Sequence, residues 1–192
     1  MKSYYLAALS CVTVLIGAWY AWPFPRFEVD TVAARPNAAG YNRDDFGIWQ
    51  PHGACSTREA ILESQASDPL HDCHARSGTV YDPYSGTTIP ATSPIEIDHI
   101  FPLSAAYDMG ASRWDRETKV RFGNDPLNLV ATSRKLNQEK SDALPAEWLP
   151  PANRCEYSRR LADIARKYSL PLPSADVRAM QRQCRIALLT GN

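Results

Sequence analysis

Pro94-Ile95-Glu96-Ile97-Asp98-His99-Ile100-Phe101-Pro102 alternates apolar and acidic side chains and then stops alternating. Ile95 and Ile97 fall on one face of a two-residue period, Glu96 and Asp98 on the other, which predicts a half-buried strand. His99 follows at once. Neighbouring side chains on a strand point apart, so Asp98 and His99 can serve one ligand only where the strand ends. Pro102 puts that end close behind them.

Downstream, the pattern predicts short helices near 104–109 and 116–122, then a second strand over 128–131. Ser133 is placed to cap a helix running through Asn137 to about Lys140. Pro145, Pro150 and Pro151 interrupt the chain. Two amphipathic helices close it, near 156–168 and 175–189, with Ser174 as a cap and Gly191 as a stop. Upstream, a helix over 59–65 starts at Ser56 or Thr57. Residues 66–94 read as turns, punctuated by Asp82-Pro83 and Ser85-Gly86. Residues 26–45, broken by Pro36, Gly40 and Asn42, read as a stalk. The expected plan is a hydrophobic segment at 1–25, the stalk, and one domain over 46–192. The fold class is α+β, with no internal repeat.

Hydrolysis assisted by a metal ion requires a proton acceptor and a counter-charge for the leaving oxygen. His99 suits the first role, because imidazole titrates near neutrality. Asp98 supplies a carboxylate and Asn137 an amide oxygen, together a hard, all-oxygen metal site. Such a site favours Mg²⁺, with Mn²⁺ or Ca²⁺ as further options. Lys140 lies three residues after Asn137, on the same helix face, as a cation for a phosphate. Arg134 and Lys135 open that helix as further candidate phosphate contacts, although such a pair is more often simply solvated. His52, His71 and His74 read as surface or structural. Trp49, Trp114 and Trp148 read as core residues rather than base-stacking platforms.

The ordered set is Asp98-His99-Ile100-Phe101-Pro102-Leu103, then 124–130 with Asn128, then Asn137-Gln138-Glu139-Lys140-Ser141-Asp142. It resembles the HNH (ββα-metal) nucleases in an Asp-His/Asn/Asn form. The likeness is greatest to the group with a GmrSD-type carboxy-terminal nuclease domain, which has many exported bacterial members. Cys55-Ser56-Thr57-Arg58, Tyr81-Asp82-Pro83-Tyr84-Ser85-Gly86 and Trp148-Leu149-Pro150-Pro151 extend it over most of 53–184. The resemblance implies a ββα-metal core braced by helices. It also implies His99 as general base, Asp98 and Asn137 as metal ligands, and Asn128 as the residue that ties the loop and holds His99. Glu96 matches an acidic position that often pairs with arginine, and Arg58 is a candidate partner. One metal and one histidine imply products with a 5′-phosphate and a 3′-hydroxyl. The substrate expected is nucleic acid, DNA ahead of RNA, cut with little regard to sequence. A catalytically silent envelope-associated binding or structural protein on the same fold is the alternative. No Gly-x-Ser-x-Gly or His-Glu-x-x-His motif points to another hydrolase.

Tyr4 to Trp22 carries no charge and follows Lys2. Its length is close to the roughly 20 residues that span a bilayer, and aromatic residues flank both ends. An uncleaved anchor and a cleaved signal both fit, and either places the domain outside the cytoplasm. Cys11 falls inside this run. That leaves Cys55, Cys73, Cys155 and Cys184, an even set for two disulfides in an exported chain. Local pairing, Cys55–Cys73 and Cys155–Cys184, is expected, and zinc on Cys55, His71, Cys73 and His74 is the rival for the first pair. The formal net charge of zero hides an asymmetry. Residues 1–100 carry 6 basic and 11 acidic side chains, whereas residues 101–192 carry 15 and 10. The carboxy-terminal half can therefore present a basic face to phosphates.

Overall fold

A computed structural model describes residues 26–68, 73 and 78–190, together with Tyr4, Ser10, Val12 and Thr13. The anchor-or-signal expectation, the two histidines of the zinc alternative and the Gly191 stop lie outside the described residues. Among the described residues no helix is long and apolar enough to cross a membrane.

The elements in chain order are β1 (Thr31–Val32), β2 (Pro51–His52), β3 (Cys55–Ser56), α1 (Thr57–Gln65), β4 (Thr79–Asp82) and β5 (Thr87–Pro90). They continue with β6 (Ile95–His99), α2 (Leu103–Met109), α3 (Arg116–Gly123), β7 (Leu129–Ser133), α4 (Arg134–Lys140), α5 (Arg154–Lys167), β8 (Leu172–Pro173) and α6 (Ser174–Thr190). Short 3-10 turns cover Arg43–Phe46, Ala111–Arg113 and Pro126–Asn128. The chain is thus α+β, with its strands paired two by two.

The centre is a ββα unit. β6 and β7 run antiparallel, with Ile95 opposite Ser133 and His99 opposite Leu129. The Ser133 side chain accepts from the Leu136 amide and starts α4 directly after β7. The alternation in β6 separates two environments. Ile97 packs with Ile61, Val80, Leu129 and Ala131 in a small core beneath α1. Glu96 and Asp98 face the other way, toward α4. The outer side of β7 is closed by a side chain: the Gln65 amide accepts from Ala131 N and donates to Ala131 O, both at 2.8 Å. That satisfies an edge that would otherwise need a strand.

The larger core gathers Phe101, Phe122, Leu161, Ile164, Leu172 and Met180, all fully buried. A fully buried large apolar side chain of this kind contributes about 1.5–3 kcal/mol. Trp114 packs edge-on to Phe122, and Trp148 to Tyr84 and Tyr157, so both belong to this core as expected. The disulfides pair locally, Cys55 with Cys73 and Cys155 with Cys184, at Cα separations of 5.5 and 4.5 Å. The first bond leaves neither of its thiols for zinc.

Two expectations need correction. Residues 79–90, read as turns, form the β4–β5 hairpin, because Val80 and Ile89 pair across it and pack on the small core. Residues 26–45 are not a free stalk. β1 pairs in parallel with β8, Phe27, Val29 and Val32 pack on the main core, and Arg35 binds Asp108 at 2.7 Å and Asp142 at 3.0 Å. Here long-range packing orders a segment that local propensity leaves unassigned.

Candidate active site

His99 ends β6, and the loop beyond it is tied by Asn128. The Asn128 Oδ1 accepts from Phe101 N at 2.8 Å, its amide donates to Phe101 O, and its carbonyl accepts from Ile100 N. Asn128 is itself wholly buried. It fixes the backbone just past His99 rather than meeting a ligand.

The imidazole is held from two sides. Nε2 lies 2.9 Å from the Gly123 carbonyl. A carbonyl can only accept, so Nε2 carries the proton, and in the neutral ring Nδ1 bears the lone pair. Among the described residues Nδ1 has no hydrogen-bond partner. His99 is 6% exposed overall and lines a cavity. The second support is Trp49, whose ring is nearly parallel to the imidazole at a centroid distance of 5.8 Å. Burial pushes the His99 pKa down to about 3; the Gly123 hydrogen bond opposes this, and the Arg43 and Lys140 charges add to it. The imidazole is therefore neutral, in its proton-accepting form, throughout the physiological range.

Asp98 is buried on the opposite side of the strand. Its Oδ2 accepts from the Tyr84 hydroxyl at 2.6 Å, and the Lys140 ammonium lies 2.9 Å from Oδ2 and 3.1 Å from Oδ1. Lys140 also donates to the His99 carbonyl at 2.8 Å. Burial pushes the Asp98 carboxyl above its ordinary range, against the downward pull of Lys140 and Tyr84.

These contacts correct two roles. Lys140 was expected as an exposed cation for a phosphate, yet its side chain is 0% exposed and its charge is spent on Asp98. The shared helix face of Asn137 and Lys140 is real, but it is turned onto the acidic face of β6. The partner of Glu96 is Arg134, at 2.9 Å, not Arg58, and the second Glu96 oxygen accepts from Asn137 Nδ2 at 2.7 Å. Arg58 is half-buried on α1 and makes no bond to Glu96. Arg134 and Lys135 remain at the surface, 56% and 82% exposed, beside a groove of about 690 Å³.

Asp98, His99 and Asn137 nonetheless line one cavity of about 400 Å³, together with Tyr41, Arg43 and Ser104. Among the described residues no three His, Cys, Asp or Glu side chains converge to hold a metal. What the cavity offers is two hard oxygens. Among the described residues Asn137 Oδ1 has no hydrogen-bond partner, and Asp98 Oδ1 accepts from Lys140 at 3.1 Å. That donor set fits an ion which keeps most of its water, as Mg²⁺ does, and not a nitrogen- or thiolate-seeking one.

The sequence reading missed three participants. Tyr84 sits in the quoted Tyr81–Gly86 motif, so a signal was present, but nothing local told that its hydroxyl would reach Asp98. Trp49 was read only as core. Arg43 lay in the segment read as a stalk.

A family model described as "GmrSD restriction endonucleases, C-terminal domain" matches residues 57–171. The chain belongs to that family. It is also similar to a protein of the fungus Arthroderma benhamiae described as an "Uncharacterized secreted protein", with 35% identity over 202 residues covering 94% of this chain and 97% of the relative. No solved structure matches.

Proposed function

We propose that this protein is a metal-dependent endonuclease that hydrolyses nucleic acid outside the cytoplasm, with DNA ahead of RNA as substrate. The observation that carries the proposal is the state of His99. Its imidazole is pinned through Nε2–H to the Gly123 carbonyl and lines a cavity with Asp98 and Asn137. Nδ1 takes a proton from the attacking water as its oxygen bonds to phosphorus. The bond to the 3′-oxygen breaks, and that oxygen takes a proton from solvent, leaving a 5′-phosphate and a 3′-hydroxyl. Asp98 and Asn137 are the residues to hold a divalent ion, Mg²⁺ before Mn²⁺ or Ca²⁺. When bound, it would neutralise charge on the leaving oxygen. Asn128 and Trp49 orient the base, while Arg134 and Lys135 offer outlying phosphate contacts.

Location rests on separate grounds. Two disulfides suit an oxidising compartment, the similar fungal protein carries a secreted description, and the uncharged run from Tyr4 to Trp22 would serve as signal or anchor. A second reading, binding without turnover, draws on one observation: Lys140 already neutralises Asp98.

The test is cleavage of plasmid, single-stranded DNA and RNA by the oxidised protein with Mg²⁺, Mn²⁺, or EDTA. Cleavage should disappear with EDTA, and His99→Ala should lower it at least 100-fold, in the range general-base removal costs. Undiminished Mg²⁺-dependent cleavage by His99→Ala would remove His99 from the mechanism. Binding with no turnover under any metal would favour the second reading.

A further inference from the structure

We infer that Arg43, outside the stretch matched by the family, binds the substrate phosphate in the His99 cavity. This rests on the nuclease reading above and supplies the cation that Lys140 does not.

Arg43 is the one arginine or lysine among the described residues lining that cavity. The cations around it are already engaged. Lys140 is buried on Asp98, Arg134 is paired with Glu96, and Arg35 is held between Asp108 and Asp142. Among the described residues Arg43 has no side-chain hydrogen bond or ion pair, and it is exposed. Asp98 is paired with Lys140 and Asp142 shares Arg35 with Asp108, so neither acid of the cavity engages Arg43.

The guanidinium stands on an anchored turn. Asn42 caps it by accepting from Asp44 N at 3.0 Å. Phe46 is 1% exposed and lies 6.1 Å from the Phe122 ring. Asp45 pairs with Lys119 at 3.5 Å. The turn fixes the Arg43 backbone beside the cavity, and the planar guanidinium can fork onto two phosphate oxygens. As charge builds on those oxygens during attack, the contact strengthens, which makes it catalytic as well as binding.

The experiment compares the oxidised full chain with Arg43→Ala, Arg43→Lys, His99→Ala and the charge control Arg121→Ala, an exposed residue paired with Glu117. Two readouts are taken: kcat/KM on a labelled oligonucleotide, and equilibrium binding of the same oligonucleotide in EDTA across a salt series. Arg43→Ala should lower kcat/KM roughly 100-fold. It should also flatten the slope of log affinity against log salt by about 0.9 on duplex DNA. Arg43→Lys should recover part of both, and Arg121→Ala should match the parent. Unchanged cleavage and salt slope in Arg43→Ala overturn the inference while leaving a His99-dependent nuclease intact. A parent chain that binds but never cleaves overturns the nuclease reading; a flattened slope in Arg43→Ala then still upholds the phosphate contact. A parent chain that neither cleaves nor binds nucleic acid overturns both.

Discussion

A lysine with its ammonium wholly out of water needs a reason, and Lys140 has two: the Asp98 carboxylate and the His99 carbonyl. Breaking a buried pair by removing one partner leaves an uncompensated charge and typically costs about 3–5 kcal/mol. Lys140→Met should therefore lower stability by roughly that amount, read as a shift in the urea midpoint. A solvated phosphate-binding lysine would change it by less than about 0.5 kcal/mol. A loss of that smaller size would return Lys140 to the surface role the sequence suggested. The comparison also marks what sequence could reveal at this scale. Spacing put Asn137 and Lys140 on one helix face correctly. It could not tell whether that face looked into the cavity or down onto β6, because depth depends on the Asp98 side of a strand 42 residues earlier.

The turn over Arg43–Phe46 and helix α3 approach as closely as backbones can. A Cβ added at Gly123 would stand 2.7 Å from the Phe46 carbonyl oxygen and 3.3 Å from its Cβ. Neither atom is the loose end of a side chain, so Gly123→Ala must push the two elements apart. The Gly123 carbonyl is also the acceptor for His99 Nε2. The variant is expected to lose about 1–3 kcal/mol of stability and, beyond that, activity out of proportion to the folded fraction. A folded Gly123→Ala with parental cleavage would separate the turn from the base. β6, β7 and α4 were legible because each carries its own local signal, namely the Ile95–Asp98 alternation, a short apolar run and a Ser133 cap. The Arg43 turn carries none that survives beside Gly40, Asn42 and Gly47. Its order comes from Phe46, Phe122 and Gly123 meeting across the fold.

Across the whole molecule, α5 is stapled to the loop before β7 by Asp125. Burial alone would raise this carboxyl, but hydrogen bonds from Lys167 and Tyr168 outweigh it and hold it below the ordinary range. A carboxyl with a depressed folded pKa adds stability that is complete above its unfolded pKa, near 3.9, and is lost as pH falls through the folded value. Asp125→Asn should accordingly be less stable than the parent at pH 6, and the gap should narrow as the pH drops below about 4. Denaturation curves at several pH values test this, and a gap that stays constant from pH 6 to 3 would deny the linkage. Helices and cysteines were legible along the chain, but which distant segments would meet was not.

One such meeting sets an order of events. Thr31 and Val32 pair with Leu172 and Pro173, and Leu172 N donates to Asp30 O at 2.9 Å. During synthesis the amino-terminal segment must wait for nearly the whole chain before this pairing can form. Closing so long a loop is among the slow steps of folding. Arg35 waits as well, for Asp108 and Asp142. The β6–β7 pairing and the α4 cap, by contrast, form between residues within 95–140. The wall that carries Arg43 and Trp49 is thus locked at its upstream end last, so a chain released early would hold His99 yet lack the final fastening of the segment that flanks it.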